Sequence, residues 1–487
     1  GPLSLSEPPA PVAMAATPRP GVAQRPQRAD RQHGQALVLG LFLVFATLAV
    51  LLLMFNTGRV VDEKMRLTNA ADATAWSVAT LEARALNYDA YTNRAIVANE
   101  VAIAQAISLI SWMHYFETAV ENAPNLNQVA ASWLYKPGEY PRLLQLLAGV
   151  NGTSYLDVGS GGSLRAIVEG LDIGLGTIAT AHDAVANALS LSQRVMHASL
   201  DTGIAQAGFA NDFVRRIDPD MRASINPISH GFRNLTRTMA KDSAQGDARQ
   251  RIADVTLRSR DAFTRERVWS IRGLNLPPLQ RKVELKRRGG TELIGYDEWR
   301  ALDTLEHQGQ RMKRWRWRWR RTPLAWGGAG FTGDEGADAR RGDHGDTYTS
   351  NPITTLNRAE PAIVDAGAAH FGGLPETREL RDLSPAAEHR SGVTVHVAKA
   401  RERLRGSGGI GSVQPQGNLR AFEATAPGGH LAAMARAEVF FERPAARSDN
   451  KTERASLYSP YWQARLAAVT PTDRAWAAGR QDGMALP

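Results

Sequence analysis

The sequence predicts an α+β protein: an N-terminal transmembrane helix, a long helix and helical layer, then an antiparallel β-rich region. Residues 36–55 carry no charged residue and no proline. Residues 59–123 contain neither Gly nor Pro, the strongest helix breakers, although the chain has 43 Gly and 25 Pro. After Leu279, short apolar runs alternate with polar residues instead of recurring at helical spacing. The two periods place helices first and strands second.

Composition indicates a folded protein that is long enough for several domains. The 487 residues are 43% hydrophobic and 22% charged, and the chain contains no Cys. Disulfides and thiolate metal sites are therefore excluded. The net charge of +9 suits an anionic lipid, nucleic-acid or acidic-polymer partner, but a diffuse Arg excess also occurs on ordinary solvated surfaces.

Residues 1–33 are rich in Pro and Ala and are predicted to form a disordered cytoplasmic tail. Residues 34–56 are predicted to form the transmembrane helix, because about twenty apolar residues cross about 30 Å of hydrocarbon. A cleaved secretory signal is the alternative, but its apolar core is about 7 to 15 residues. The predicted anchor residues are Ala36, Leu39, Phe42, Val44, Leu48, Leu52 and Phe55. Four Arg precede the run, which favours a cytoplasmic N-terminus and an external C-terminal part.

Residues 57–275 are predicted to be helical, after a bend near residues 56–58. Small side chains crowd the first helix, and larger ones recur at helical spacing. The small residues are Ala70, Ala71, Ala75, Ala79, Ala83, Ala90, Ala98, Ala102 and Ala106, and the larger ones include Ile96, Ile103, Ile107 and Ile110. Residues 177–217 and 232–271 are predicted to fold back as two further helical stretches.

Residues 276–487 are predicted to be β-rich with long loops. RKVELK at 281–286 alternates, RRGG follows as a turn, and residues 291–296 return, which indicates a hairpin. Residues 327–346 are predicted to be a loop rich in Gly and Asp. Residues 393–399 and 435–442 are further strand candidates, and residues 456–487 are expected to lie against the sheet.

The segment RWRWRWR at 314–320 alternates with a strict period of two. In a strand, Trp315, Trp317 and Trp319 would share one face and the intervening Arg the other. We expect the Trp face to be buried in the sheet. Two alternatives are contact with an anionic lipid surface and stacking of the Trp on nucleic acid.

No constellation indicates an enzyme. The glycines at 159–162 lack the spacing of a nucleotide loop, and the sequence has no HExxH and no GxSxG. Carboxylates at 334–346 match no Ca²⁺-binding loop. We therefore expect no catalytic residue, no cofactor and no metal site.

Short motifs follow one another around the apolar run. RQHGQA at 31–36 abuts it, NTGR at 56–59 follows it, and LTNAADA at 67–73 comes next. The combination resembles the TadE/TadG-like family of tight-adherence (Flp) pilus assembly proteins over about a fifth of the chain. Arg59, Asn69 and Asp72 are the residues that carry the family motif. YWQARL at 461–466 is similar to a TadG-like branch of pilus-assembly proteins.

The resemblance also implies a candidate leader-peptidase site between Gly34 and Gln35, as in type IV prepilins. The fifth residue after Gly34 is Leu39, where those proteins have the Glu that is used in subunit docking. The metal motif of von Willebrand A domains is also absent from the sequence. We therefore expect an accessory component that stays in the membrane rather than a filament subunit.

The resemblance implies a membrane-anchored structural or accessory component of tight-adherence pilus assembly. It implies a single-pass protein of the bacterial inner membrane with a periplasmic C-terminal domain. The expected partners are other pilus-assembly proteins, pilins and inner-membrane lipid, and we expect no nucleic acid. The alternative is a membrane-anchored cell-envelope enzyme or polymer-binding protein that uses the basic C-terminal half.

Overall fold

The computed structural model describes residues 33–131, 135–160, 162–239, 249–274, 280–333, 351, 353–366, 370–384, 387–400, 403–404 and 430–481. The chain divides into two compact units, residues 1–61 with 405–425 and residues 62–404 with 426–487. The described part of the first unit is the beginning of the first helix. Residues 62–275 of the predicted helical region and the described residues of the predicted β-rich region lie in the second unit.

Helix α1, His33–Glu121, is continuous over 89 residues, so the expected bend at 56–58 does not interrupt it. Pro124 is the second residue of α2, a position where the missing N–H has no helical partner to lose. The other helices are α3 Tyr140–Ser160, α4 Ser163–Leu200, α5 Ile204–Ile217, α6 Phe232–Leu235, α7 Gln250–Ser259, α8 Ala262–Arg265, α9 Ile353–Ala359 and α10 Pro471–Gln481.

The described strands form three sheets. They are β1 Met221–Ile225, β2 Thr236–Met239, β3 Trp269–Arg272, β4 Gln280–Ile294, β5 Glu298–Lys313, β6 Arg316–Thr332, β7 Ile363–Asp365, β8 Thr377–Leu380, β9 Arg390–Ala400, β10 His430–Phe441 and β11 Trp462–Ala467. The sheet orders are β3-β4-β5-β6-β7, β1-β9-β10-β11 and β2-β8. All neighbours are antiparallel except β6 and β7. The predicted α+β class is confirmed.

Two predicted elements of the first half are wrong. The described residues of 232–271 form two short strands and three short helices instead of one helical stretch, and region 57–275 also supplies β1. The physical reason is pairing over a long sequence distance. β2 pairs with β8, where Thr236 lies opposite Leu380, and β1 pairs with β9, where Met221 lies opposite Lys399.

The predicted hairpin at 281–296 is also wrong, because β4 runs without a turn through the RRGG segment. A Cβ on Gly289 would lie 2.3 Å from the Asp303 carboxylate, so glycine permits a close approach here. The chain turns instead at Gly295, whose φ is 60°. Residues 327–332 are strand rather than loop, and a Cβ on Gly327 would lie 2.3 Å from the Ser111 carbonyl of α1.

The hydrophobic core of the second unit is organised along α1, which contributes to three buried clusters in succession. The first centres on Leu67 to Leu86, the second on Ile96 to Ile110, and the third on Tyr115 to Leu126. Seven of the nine alanines predicted to face the core are buried. These are Ala70, Ala71, Ala75, Ala79, Ala83, Ala90 and Ala106, while Ala98 is exposed.

Buried polar side chains fasten α1 to its neighbours. Glu82 and His230 approach to 2.6 Å, and Asp89 and His197 to 2.7 Å. The Trp299 indole donates a hydrogen bond of 3.0 Å to Glu100. Because each of these carboxyls is fully buried, removal of one partner would leave a costly unsatisfied group. The helix is therefore held in one register against the domain.

Burial raises the pKa of Glu100 to about 8, with a smaller rise from Asp183. A raised folded-state pKa means that stability is greatest below the unfolded value and falls as pH rises from about 4.5 through 8. We expect Glu100→Gln to remove this fall, since the amide keeps an acceptor for Trp299 and cannot ionise. Melting temperatures at pH 5, 6.5 and 8 measure the slope, with Glu169→Gln, on an exposed ion pair, as the matched control. Identical slopes in wild type and Glu100→Gln would contradict the assignment.

Candidate functional site: the apolar segment and outer face of the long helix

The apolar segment of α1 presents its side chains outward. Leu39, Phe42, Val44, Leu48 and Phe55 are 45–69% exposed, Ala36 is exposed, and Leu52 is half-buried. Within the described residues this is the one helix long and apolar enough to cross a membrane. A signal sequence meets the same criterion of length and composition. The segment is compatible with a single-pass membrane protein.

Polar groups near this segment are satisfied within the helix. The Thr47 hydroxyl donates to the Leu43 carbonyl at 2.7 Å, and the Thr57 hydroxyl donates to the Leu53 carbonyl at 2.8 Å. Internal hydrogen bonds of this kind are what a hydrocarbon environment requires. The Arg59 guanidinium lies 5.4 Å from the centre of the Phe55 ring. An aromatic residue beside a cation is typical of the end of a membrane span.

The candidate leader-peptidase residues lie in the first turn of α1. The helix begins at His33, so Gly34 and Gln35 are helical. Leu39 is 62% exposed and places an aliphatic side chain where prepilin-like proteins have a carboxylate. Whether cleavage occurs between Gly34 and Gln35 stays a prediction.

The LTNAADA segment divides between two faces of α1. Ala70 and Ala71 are buried in the first cluster, whereas Asn69 is exposed and Asp72 is half-buried. Neither polar side chain has a hydrogen bond or ion pair to another residue that the structure describes. Met65 is 60% and Trp76 48% exposed on the same side of the helix.

These four residues, Met65, Asn69, Asp72 and Trp76, form what we call the outer face. Their spacings of four, three and four residues place them along one stripe of a helix. An exposed stripe with a large indole, a thioether, an amide and a carboxylate offers both contact area and hydrogen-bonding groups. It is a surface suited to lateral contact with another protein.

The opposite side of the helix at this level is tied to the sheet of β1, β9, β10 and β11. Glu63 and Lys399 approach to 3.2 Å, and Asp218 lies 2.8 Å from the same ammonium. Lys64 also donates to the Ala432 carbonyl. Since Lys399 is 2% exposed, its charge is compensated inside the protein. The outer face is therefore presented from a fixed helix.

The prediction of a buried Trp face at 315–319 is wrong. Arg314 and Trp315 form the turn between β5 and β6, with φ of 51° and 64°, and Trp315 is 93% exposed. Trp317 is half-buried and Trp319 is 45% exposed. Every side chain at 311–320 except that of Trp317 is exposed, so within the described residues neither face of this alternating segment packs on a core. The sequence could not show where the sheet ends.

A cavity of about 490 Å³ lies beside the third cluster. Aromatic side chains of α1 and β3 line it together with Arg142 and Arg287; these are Trp112, Tyr115, Phe116 and Trp269. Among the described residues, no group of three or more His, Asp or Glu could hold a metal ion. The acidic stretch Asp334, Glu335, Asp338, Asp343 and Asp346 lies outside the described residues.

Sequence reasoning missed the buried acids of α1. Glu82, Asp89 and Glu100 lie seven and eleven residues apart, on the face that the alanines predict to be buried. Their helical spacing relative to Ala75 and Ala79 is the sequence signal that could have predicted their burial. Their partners His197, His230 and Trp299 lie more than a hundred residues away in the chain, and nothing local identifies them.

Residues 34–81 match the family described as "Putative Flp pilus-assembly TadE/G-like". The matched segment contains the apolar segment, Arg59 and the whole outer face, and it confirms the resemblance seen in the motifs. It links the chain to Flp pilus assembly in general. No curated protein and no solved structure is significantly similar to the chain.

Proposed function

We propose that this protein is a membrane-anchored structural component of tight-adherence pilus assembly. In this proposal the apolar segment crosses the bacterial inner membrane, with the N-terminus in the cytoplasm and residues 62–487 in the periplasm. The single observation that carries the proposal is the family match at residues 34–81. That segment joins an exposed apolar helix to a motif whose polar members face outward.

In the proposed mechanism the protein holds the outer face of α1 in a fixed position for contact with another protein. The helix that carries the anchor continues into all three core clusters, and buried ion pairs fix it there. The outer face would contact a second pilus-assembly protein or a pilin in the same membrane. Leu39 lacks the carboxylate that a filament subunit uses, so the protein is expected to stay in the membrane.

A second candidate function follows from the aromatic cavity. Trp112, Phe116 and Trp269, with Arg142 at the rim, would suit an extended ligand that stacks on aromatic rings and carries negative charge. This observation favours a cell-envelope polymer-binding protein. Such a role predicts that substitutions in the cavity, rather than on the outer face, impair function.

Deletion of the coding sequence in the native host tests the proposal. Complementation with the wild type should restore the number of pili per cell, counted by electron microscopy. Normal piliation in the deletion strain would contradict the proposed function. Complementation with Trp269→Ala separates the two candidates, because only the polymer-binding role requires the cavity.

Variants of the outer face give a sharper result. Met65→Glu with Trp76→Glu should leave stability nearly unchanged, within about 0.5 kcal/mol, because the side chains are exposed. We expect pili per cell to fall at least tenfold at normal protein level, since the new charges would have to be desolvated in the contact. Tyr155→Glu, at a position 82% exposed in α3, is the matched control. Wild-type piliation in the double variant would contradict a docking role for the outer face.

A further inference from the structure

The end of the β5–β6 hairpin has two chemically different faces. We call residues 310–321 the hairpin tip. In an antiparallel pair, residues directly opposite each other lie on the same face. Met312 lies opposite Trp317 and Gln310 opposite Trp319, while Arg311 lies opposite Arg318 and Lys313 opposite Arg316. One face is therefore apolar and aromatic, and the other is cationic.

The basic side chains of the cationic face lie close enough to repel one another. The register places five basic residues on this face, and residues 311–320 contain no acidic residue; the five are Arg311, Lys313, Arg316, Arg318 and Arg320. Like charges directly opposite in a sheet are destabilising. His307 lies on β5 opposite Thr322 of β6. Burial, together with the nearby charges of Arg311 and Arg320, lowers the pKa of His307 to about 4. The tip therefore carries a concentrated positive field that an anionic surface would neutralise.

The apolar face of the hairpin tip is exposed to solvent. Met312 is 41% and Trp319 45% exposed, and Trp315 projects from the turn with 93% of its surface accessible. The turn holds two non-glycine residues at positive φ, a conformation that is uncommon for large side chains. Met312, Trp315, Trp317 and Trp319 thus all lie at this end of the hairpin, and three of them are exposed.

We propose that the hairpin tip binds the surface of a bilayer that contains anionic lipid. The Trp and Met side chains enter the interfacial region, where indole rings are favoured, and the Arg and Lys side chains contact lipid phosphates. The arrangement is the strand counterpart of an amphipathic interfacial helix, with apolar and basic residues on opposite sides. Contact with lipid removes the like-charge repulsion and the aromatic exposure together.

The separation of the two faces favours lipid over nucleic acid. A single-strand binder needs aromatic and basic side chains on the same surface, because bases stack while neighbouring phosphates are contacted. Here the register places Trp317 and Trp319 on one face and Arg316 and Arg318 on the other. A bilayer interface can accommodate this division, since its polarity changes with depth.

Within the second unit, the hairpin tip is distant from Asp62, the first residue of α1 in that unit. β6 passes α1 where Gly327 meets Ser111, and β5 continues from there toward the third cluster. Ser111 follows Asp62 by 49 residues, which is about 74 Å of helix at about 1.5 Å per residue. Binding by the tip can be measured as capture of added vesicles.

Full-length protein in phosphatidylcholine nanodiscs tests the proposal by capture of added vesicles. We expect vesicles with 30% phosphatidylglycerol to be captured at least tenfold better than pure phosphatidylcholine vesicles in a flotation assay. Raising the salt concentration should weaken capture by screening. Arg316→Gln with Arg318→Gln and, separately, Trp315→Ser with Trp319→Ser should each lower capture at least fivefold. Arg215→Gln with Arg216→Gln removes the same charge elsewhere and should have no effect.

A label reports the depth of the tip directly. The chain has no Cys, so Trp315→Cys provides a unique position for an environment-sensitive dye. Its emission should shift to the blue on anionic vesicles and stay unchanged with single-stranded DNA. Equal capture by both vesicle types, capture that survives both tip variants, or a shift with DNA alone would each overturn the proposal. None of these outcomes depends on piliation, so failure here leaves the proposed function standing.

Discussion

Arginine at both Val44 and Leu48 should release the protein from the membrane fraction. Each charge near the centre of a bilayer costs about 2.5–3.5 kcal/mol on the insertion scale, and the two costs add for a segment that must insert as a unit. Both side chains are more than half exposed in α1, so no packing in the protein would be lost. Carbonate extraction followed by immunoblotting of the pellet and supernatant measures the outcome.

Two controls isolate the effect on the anchor. Val44→Leu with Leu48→Ile keeps the segment apolar and should stay in the pellet. Tyr155→Arg with Ile173→Arg introduces the same charges at exposed positions of α3 and α4 and should also stay there. A double arginine variant of the anchor that remains resistant to carbonate would show that another part of the chain holds the protein to the membrane.

Asp303→Asn should destabilise the second unit by about 3–5 kcal/mol, the cost of breaking a buried ion pair from one side. The carboxylate is fully buried on β5. It accepts hydrogen bonds from Arg267 at 2.8 and 2.9 Å, from Arg287 at 2.7 Å and from Ser111 at 2.7 Å. The amide would leave two buried guanidinium groups without a counter-charge. Chemical denaturation followed by tryptophan fluorescence measures the loss.

The matched control for this substitution is Asp62→Asn. Asp62 and Arg66 form an exposed pair at 3.0 Å, and exposed pairs contribute about 0–1 kcal/mol. Gly289→Ala tests the same cluster from the other side, because its Cβ would meet the Asp303 carboxylate. If Asp303→Asn were no more destabilising than Asp62→Asn, the cluster would not be the constraint that joins α1 to the sheet.

The parts that local periodicity governs could be predicted from sequence. The absence of Gly and Pro after Arg59 predicts the uninterrupted helix, and the alanine spacing predicts its buried face. The uncharged run at 36–55 predicts the apolar segment, and the LTNAADA motif identifies the family-matched stretch. Each of these signals lies within one element, so no distant contact is needed to read it.

Glycine could not be interpreted in the same way. Gly289 and Gly327 lie within strands because another chain segment comes too close for a Cβ, whereas Gly295 forms a turn. The three look alike in sequence. Likewise, the alternation of Trp and Arg predicts strand geometry but cannot show that both faces of this end of the hairpin are exposed. Long-range pairing decides both cases.

Photo-crosslinking from the outer face in native membranes tests whether this face contacts another pilus-assembly protein. A photoreactive residue at Asn69 should form an adduct whose second component is a pilin or another Flp pilus-assembly protein, identified by mass spectrometry. The same residue at Tyr155 should not form that adduct. No adduct from Asn69 in piliated cells, or only adducts with proteins unrelated to the pilus, would contradict a docking role for the outer face.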